Sequence, residues 1–359
     1  MLQAFFHAWE RRLASVSKDR VVRPFEWGLD WIPRNGSGPG ADPPPAEILS
    51  EWVSDIMRDT DAFYAVEPTS DYRVEKAADA SEWRLTFPSA LRTPQPENNT
   101  VYCRVFPAHS RRRRRTRAAV VVLPQWNADA GGHVGMCRLL AMSEMTAVRV
   151  SLPYHDNRMP PQMTRADYIV SSNVARTVQV CRQAVLDARR TVAWLASEGY
   201  DRIGILGTSL GSCLSLLTTA HEPLITAQAL NHISPFFADV VWRGLSTRHV
   251  RVGLEGHVGL DLLRALWKPL SPWWFLDRLG DRQTLLVYAR YDLTFPVDLS
   301  AQLVREFQTR GIDHELKVLP CGHYSTGKAP FKFVDGWVLT RFLRKALLGP
   351  KRSSSADGS

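Results

Sequence analysis

Short apolar runs alternate along this chain with longer segments of helical period. In 83–87 the apolar Trp83, Leu85 and Phe87 alternate with Arg84 and Thr86, and 101–106 repeats the pattern with Val101, Cys103 and Val105. Both predict half-buried strands, joined by the turn-rich 93–99. The stretch 118–123, Ala-Ala-Val-Val-Val-Leu, has no polar member and predicts a fully buried strand. Segments 146–152, 202–206, 225–233, 284–289 and 315–319 predict five more. Helical patterns over 133–142, 173–198 and 331–347 are interleaved with them. Strands separated by helices argue for parallel pairing with right-handed crossovers. The expected architecture is therefore α/β: a mostly parallel central sheet flanked by helices, beginning near Ser81 and occupying 81–347.

Three segments fall outside this alternation. Residues 1–80 predict an N-terminal helical extension and linker. Residues 2–17 place Leu2, Phe5, Phe6, Trp9 and Leu13 near one helix face, and Asn35, Gly36, Gly38, Pro39 and Gly40 with Pro43, Pro44 and Pro45 mark a connection before a helical 47–65. The first helix is expected to dock on the protein's own body or on a second copy in a homodimer, with peripheral contact at a membrane surface as the other reading. Residues 234–282 form an insertion of 49 residues carrying Trp242, Trp267, Trp273 and Trp274 with Phe236 and Phe237, and predict a helical cap. Residues 348–359 are expected to be a disordered tail.

Composition narrows the class without changing the picture. The chain has 359 residues, 45% of them apolar, enough for one large domain with additions. Its net charge of +9 is concentrated in one run, Arg111 to Arg115 with Arg117. That run has no interleaved aromatics, so it is read as a solvated connection and no nucleic-acid partner is expected. Five scattered cysteines, Cys103, Cys137, Cys181, Cys213 and Cys321, have neither metal-site nor disulfide-framework spacing. They fit a cytoplasmic location. No signal peptide and no transmembrane stretch is evident.

The candidate chemistry lies at the ends of three predicted strands. Gly207-Thr208-Ser209-Leu210-Gly211 follows the 202–206 strand and precedes a helical run. A Gly-x-Ser-x-Gly between a strand and a helix marks a turn so sharp that flanking side chains would collide, and that presents the serine at the strand's end. Arg290-Tyr291-Asp292 leaves the next strand, and Pro320-Cys321-Gly322-His323 leaves the one after. A serine hydroxyl needs a base to become a nucleophile, an imidazole titrates in the right range, and a carboxylate can fix the imidazole's tautomer.

With Ser209, Asp292 and His323 in this chain order, the sequence resembles the α/β-hydrolase superfamily over roughly 80–347. The resemblance implies the α/β-hydrolase fold and a Ser-His-Asp triad that cleaves carboxylic esters through an acyl-enzyme. It implies an oxyanion hole from the N–H of Leu210 and a second donor after the 118–123 strand. Many members have His-Gly there, whereas this chain has Pro124-Gln125, so Trp126 is the favoured donor and Gln125 the next. Gln125, Tyr154, Phe236, Trp242 and Trp274 are the candidate substrate-binding residues. His155 is read as a structural loop histidine. The expected substrate is a small ester with an apolar group, and no metal or organic cofactor is implied. A peptidase or amide hydrolase, a thioesterase and an acyltransferase would use the same triad, and a non-catalytic interaction protein could share the fold.

Overall fold

A computed structural model of the chain describes residues 1–17, 19–33, 43–77, 81–109 and 116–350. Among these residues nine strands form one sheet in the order β1-β2-β3-β5-β4-β6-β7-β8-β9. They are β1 Arg73–Lys76, β2 Trp83–Pro88, β3 Thr100–Phe106, β4 Ala118–Leu123, β5 Thr146–Val150, β6 Arg202–Thr208, β7 Ile225–Asn231, β8 Gln283–Ala289 and β9 His314–Leu319. The six strands β5-β4-β6-β7-β8-β9 pair in parallel, and β1, β2 and β3 add an antiparallel edge. Every residue of β4 is buried, as an unbroken apolar run requires when helices cover both faces of a sheet. This is the expected α/β architecture with flanking helices.

The helices are α1 Leu2–Ala14, α2 Pro45–Arg58, α3 Thr60–Phe63, α4 Val134–Met142, α5 Val174–Ser197, α6 Leu210–His221, α7 Phe237–Arg243, α8 Arg248–Leu254, α9 Leu260–Leu266, α10 Val297–Thr309 and α11 Phe331–Leu348. None of the described helices is long and apolar enough to cross a membrane. The Asn173 side chain caps α5 by accepting from the Arg176 N–H at 2.9 Å. One core cluster packs α5 and α6 with the segment between β7 and β8, and a second packs α4 and α11 on the opposite face.

Three boundaries differ from the sequence reading. The sheet begins at Arg73, because the exposed four-residue β1 pairs with β2. An all-exposed edge strand leaves no burial alternation to recognise. The helical 47–65 is split at Asp59, whose side chain caps α3 by accepting from the Ala62 N–H. The expected disordered tail 348–359 starts too early, because Leu348 still belongs to the last helix, and the expectations for Arg111 to Arg115 and for 351–359 lie outside the described residues.

The inserted 234–282 segment is helical, comprising α7, α8, α9 and two 3-10 turns. Trp267 is fully buried, and its indole N–H donates to the Val174 carbonyl at 3.1 Å, tying the insertion to the start of α5. Of the insertion's tryptophans only Trp267 is fully buried, whereas Trp274 is exposed.

Candidate active site

β4 lies between β5 and β6, so the order in which successive strands join the sheet reverses there, and the carboxyl ends of β4 and β6 flank the resulting crevice. Ser209 follows β6 in that crevice. Its backbone has φ 57° and ψ −120°, a conformation that a non-glycine residue adopts only when its surroundings impose it. The flanking glycines explain what imposes it. A Cβ on Gly207 would sit 2.3 Å from the Gly211 carbonyl carbon, and a Cβ on Gly211 would sit 2.1 Å from the Leu123 carbonyl oxygen. The turn can close only without those atoms.

Leu210 opens α6, so its N–H has no preceding intrahelical carbonyl to bond and belongs to the positive end of that helix. Ser212 locks the elbow: its hydroxyl reaches the Ser209 carbonyl at 2.6 Å and the His232 carbonyl at 2.8 Å. Trp126 follows β4 and lines both cavities that reach Ser209, whereas Gln125 lines only the larger. The Trp126 indole donates to the Ala166 carbonyl at 2.8 Å, and its ring stacks on His249 at 5.6 Å. Next to it, Asn127 has φ 58° and donates its backbone N–H to His155 Nε2 at 2.9 Å. His155 is buried, and burial pushes its pKa down to about 4, so it stays a neutral acceptor that shapes this loop.

Asp292 leaves β8 and is 4% exposed. Its Oδ1 accepts the N–H groups of Thr294 and Phe295, both at 2.7 Å, and its Oδ2 accepts His323 Nδ1 at 3.0 Å. The same Oδ2 also receives Nδ1 of His232 at 3.0 Å. His232 follows β7 with φ 57°, which turns it out of the strand register. Burial alone would raise the Asp292 carboxyl. The charge of His323 and the two histidine hydrogen bonds outweigh that and hold it below the ordinary carboxylate range. On His323, burial works against protonation, but the Asp292 charge and hydrogen bond win and raise its pKa above the ordinary value. Phe295 stacks on the His323 ring at 5.4 Å and 3°.

Among the described residues, His232, Asp292 and His323 are the one group of three or more His, Cys, Asp or Glu side chains whose ligand atoms all lie within 4.8 Å of one another. Their hydrogen bonds account for that convergence, since both ring Nδ1 atoms meet Asp292 Oδ2. Asp239, a carboxylate in the insertion, is committed elsewhere in a two-bond pair with Arg264 at 2.7 and 2.9 Å.

Two cavities meet at Ser209. The larger, about 1270 Å³, is lined by Gln125, Trp126, Ser209, His232 and His323 among others. The smaller, about 40 Å³, lies between the elbow and the insertion against Leu210, Cys213, Phe237, Val240 and Phe295. Four of the candidate substrate-binding residues lie away from both cavities. Tyr154 is fully buried, with its N–H on Asn98 at 3.0 Å and its hydroxyl on Gln95 at 2.8 Å, so it supports a loop and lines neither cavity. Phe236 and Trp274 line a separate cavity, and Trp242 packs under Arg251. Helical phase is the reason: Phe237, one residue on, is the buried member that faces Ser209. The sequence reading missed His232 because 225–233 reads as one unbroken strand.

No family model matches this chain, and no curated protein matches its sequence. Solved structures do match. An acetyl xylan esterase from Paenibacillus sp. R4 aligns with TM-score 0.60 at 13% identity, over 89% of this chain and 98% of that one. Acetyl xylan esterase 1 from Thermoanaerobacterium sp. aligns with TM-score 0.56 at 14% identity, over 94% and 98%. Acylaminoacyl peptidase from Pyrococcus horikoshii aligns with TM-score 0.59 at 12% identity, and this chain spans 43% of its length. Likeness at such identities establishes the fold: the chain has the α/β-hydrolase fold.

Proposed function

We propose that this α/β-hydrolase-fold protein is a serine hydrolase that cleaves carboxylic esters, with Ser209 as nucleophile, His323 as general base and acid, and Asp292 as the carboxylate behind it. The observation that carries the reading is the Asp292 Oδ2 to His323 Nδ1 hydrogen bond at 3.0 Å, with His323 lining the same cavity as the strained Ser209. Asp292 holds the proton on Nδ1 and leaves Nε2 free to act as base. As Ser209 Oγ attacks the ester carbonyl carbon, Nε2 takes the hydroxyl proton. The carbonyl π electrons move onto oxygen, where the N–H groups of Leu210 and Trp126 receive the negative charge. The tetrahedral centre collapses, the C–O bond to the alcohol breaks, and His323 returns its proton to the leaving oxygen. Water, deprotonated by His323, then attacks the acyl-enzyme, releasing the acid and restoring Ser209.

The unequal cavities set the expected substrate. A pocket of about 40 Å³ with almost wholly apolar walls suits a short acyl group, since one water already needs roughly 10–15 Å³ of such space. The alcohol part then lies in the wide cleft, which Gln125 lines. The test is a series of p-nitrophenyl esters of increasing acyl length, with an amide and a thioester as controls. Short esters should turn over fastest, and Ser209→Ala, correctly folded by circular dichroism, should lose about 10⁶ of the rate. Unchanged turnover in that variant would remove Ser209 from the mechanism.

A further inference from the structure

The first helix carries a carboxylate into the loop that holds His323. Residues 2–14 present Phe6, Glu10 and Ala14 as their buried face. Glu10 is fully buried, which is expensive for a carboxylate unless it is hydrogen-bonded and its charge is compensated. Its oxygens accept the N–H groups of Tyr324 at 2.8 Å and Ser325 at 2.9 Å, the two residues that follow His323. The residue before His323 is shaped to admit it. A Cβ on Gly322 would lie 2.3 Å from Glu10 Cδ and 2.5 Å from its Cγ.

One turn earlier, Phe6 stacks on Tyr291 at 4.6 Å and 8°, directly before Asp292. The Tyr291 N–H in turn donates to the Cys321 carbonyl at 2.9 Å, joining the acid loop to the histidine loop. No arginine or lysine pairs with Glu10 among the described residues. Its two partners are neutral backbone N–H groups, and the cation that arises nearby in the proposed reaction is the imidazolium of His323.

We propose that Glu10 is a positioning residue for the reaction, one that fixes the His323 loop and lends negative charge to the imidazolium as it forms. This rests on the reading of Ser209, Asp292 and His323 as the triad. It makes the N-terminal helix part of the catalytic apparatus. Two neutral N–H donors give the loop a fixed anchor, and the charge acts on the ring through a buried region where screening is weak. The Glu10 charge raises the pKa of His323, in the same direction as Asp292 does.

Other charged and titratable groups face this ring. Asp292 and His232 bond or pack against it, and Tyr324 lies beside it with its hydroxyl on Arg20 at 3.0 Å. Cys321 is pushed up to about 12 by burial and stays neutral. Asp335 is raised by burial to about 6 and lines the same cavity.

The experiment compares full-length wild type, Ser209→Ala and Glu10→Gln on one short ester across pH. Glu10→Gln keeps the size of the side chain but removes the charge and replaces one acceptor by a donor. The expected result is a fall in kcat of about 10- to 100-fold, the scale of a small misplacement of a catalytic group, with KM little changed. The acid limb of kcat/KM should move to lower pH, because His323 loses a group that favours its protonated form. A folded Glu10→Gln with wild-type kcat and an unmoved acid limb, beside an inactive Ser209→Ala, overturns the proposal while leaving the triad standing. An active Ser209→Ala instead overturns the triad reading itself. Should Glu10→Gln fail to fold, Gly322→Ala decides, since its methyl group displaces the Glu10 side chain without removing the charge. It should lower kcat similarly. Wild-type kcat in a folded Gly322→Ala, or loss of folding in both variants, assigns Glu10 to the fold alone and overturns its role at His323.

Discussion

The loops after β7 and β9 deliver two histidines to one carboxylate oxygen, yet they are built differently. His323, after β9, keeps 13% of its side chain exposed, lies flat against Phe295, and its following residues are anchored by Glu10. His232, after β7, keeps 2% and is held by its own backbone: its N–H donates to the Val287 carbonyl at 2.8 Å, and its carbonyl receives Ser212. Equal hydrogen bonds at 3.0 Å therefore do not imply equal roles. Both rings border the larger cavity, and the more exposed one, His323, is suited to proton transfer. The ring locked into the turn beside the elbow is suited to holding Asp292 in place.

Changing Asp292 strikes both loops at once and should have the larger effect. Asp292→Asn keeps the shape but offers an amide where both rings need an anionic acceptor, so the rate should fall by about 10⁴ through loss of the correct His323 tautomer. Measured kcat for a folded variant within tenfold of wild type would mean that neither histidine depends on this carboxylate. His232→Asn should cost far less, about tenfold. The variant retains a donor near Asp292, and the acidic limb of the kcat/KM profile should still report a His323 pKa raised above the ordinary histidine value. The sign follows from the mechanism: His323 acts as base only when neutral, so a raised pKa places the loss of activity at a higher pH on acidification. If His232→Asn proves as damaging as Asp292→Asn, the roles of the two histidines must be exchanged.

The same contrast marks what could be read from the chain. Asp292 follows an apolar, buried strand, His323 follows a strand whose Leu316, Val318 and Leu319 are interleaved with charged residues and of which only Leu319 is buried, and Ser209 sits between glycines that its turn requires. Local pattern therefore located three strand ends that the parallel sheet gathers on one edge. His232 carries no such mark, because a change of φ at one residue inside Leu230-Asn231-His232-Ile233 leaves no trace in composition. Glu10 was hidden for the opposite reason. Helical period placed Leu2 and Phe5 with Phe6 and Trp9 on a docking face, but Leu2 and Phe5 are exposed while the charged Glu10 is fully buried. Hydrophobicity could not anticipate a carboxylate drawn inward by two backbone N–H groups on a loop more than 300 residues away in the sequence. In the insertion Phe237 rather than Phe236 lines the small cavity at Ser209, since tryptophan content says how much apolar surface the insertion buries and not which side faces Ser209.

The most direct measurement is covalent. A fluorophosphonate should react with the hydroxyl that the histidine–aspartate pair activates, and peptide mass spectrometry should find the adduct on Ser209. Labelling should be abolished in Ser209→Ala, slowed by orders of magnitude in His323→Ala, and only modestly slowed in His232→Asn. An adduct on another residue, or equally fast labelling of Ser209 in a folded His323→Ala, would contradict the triad.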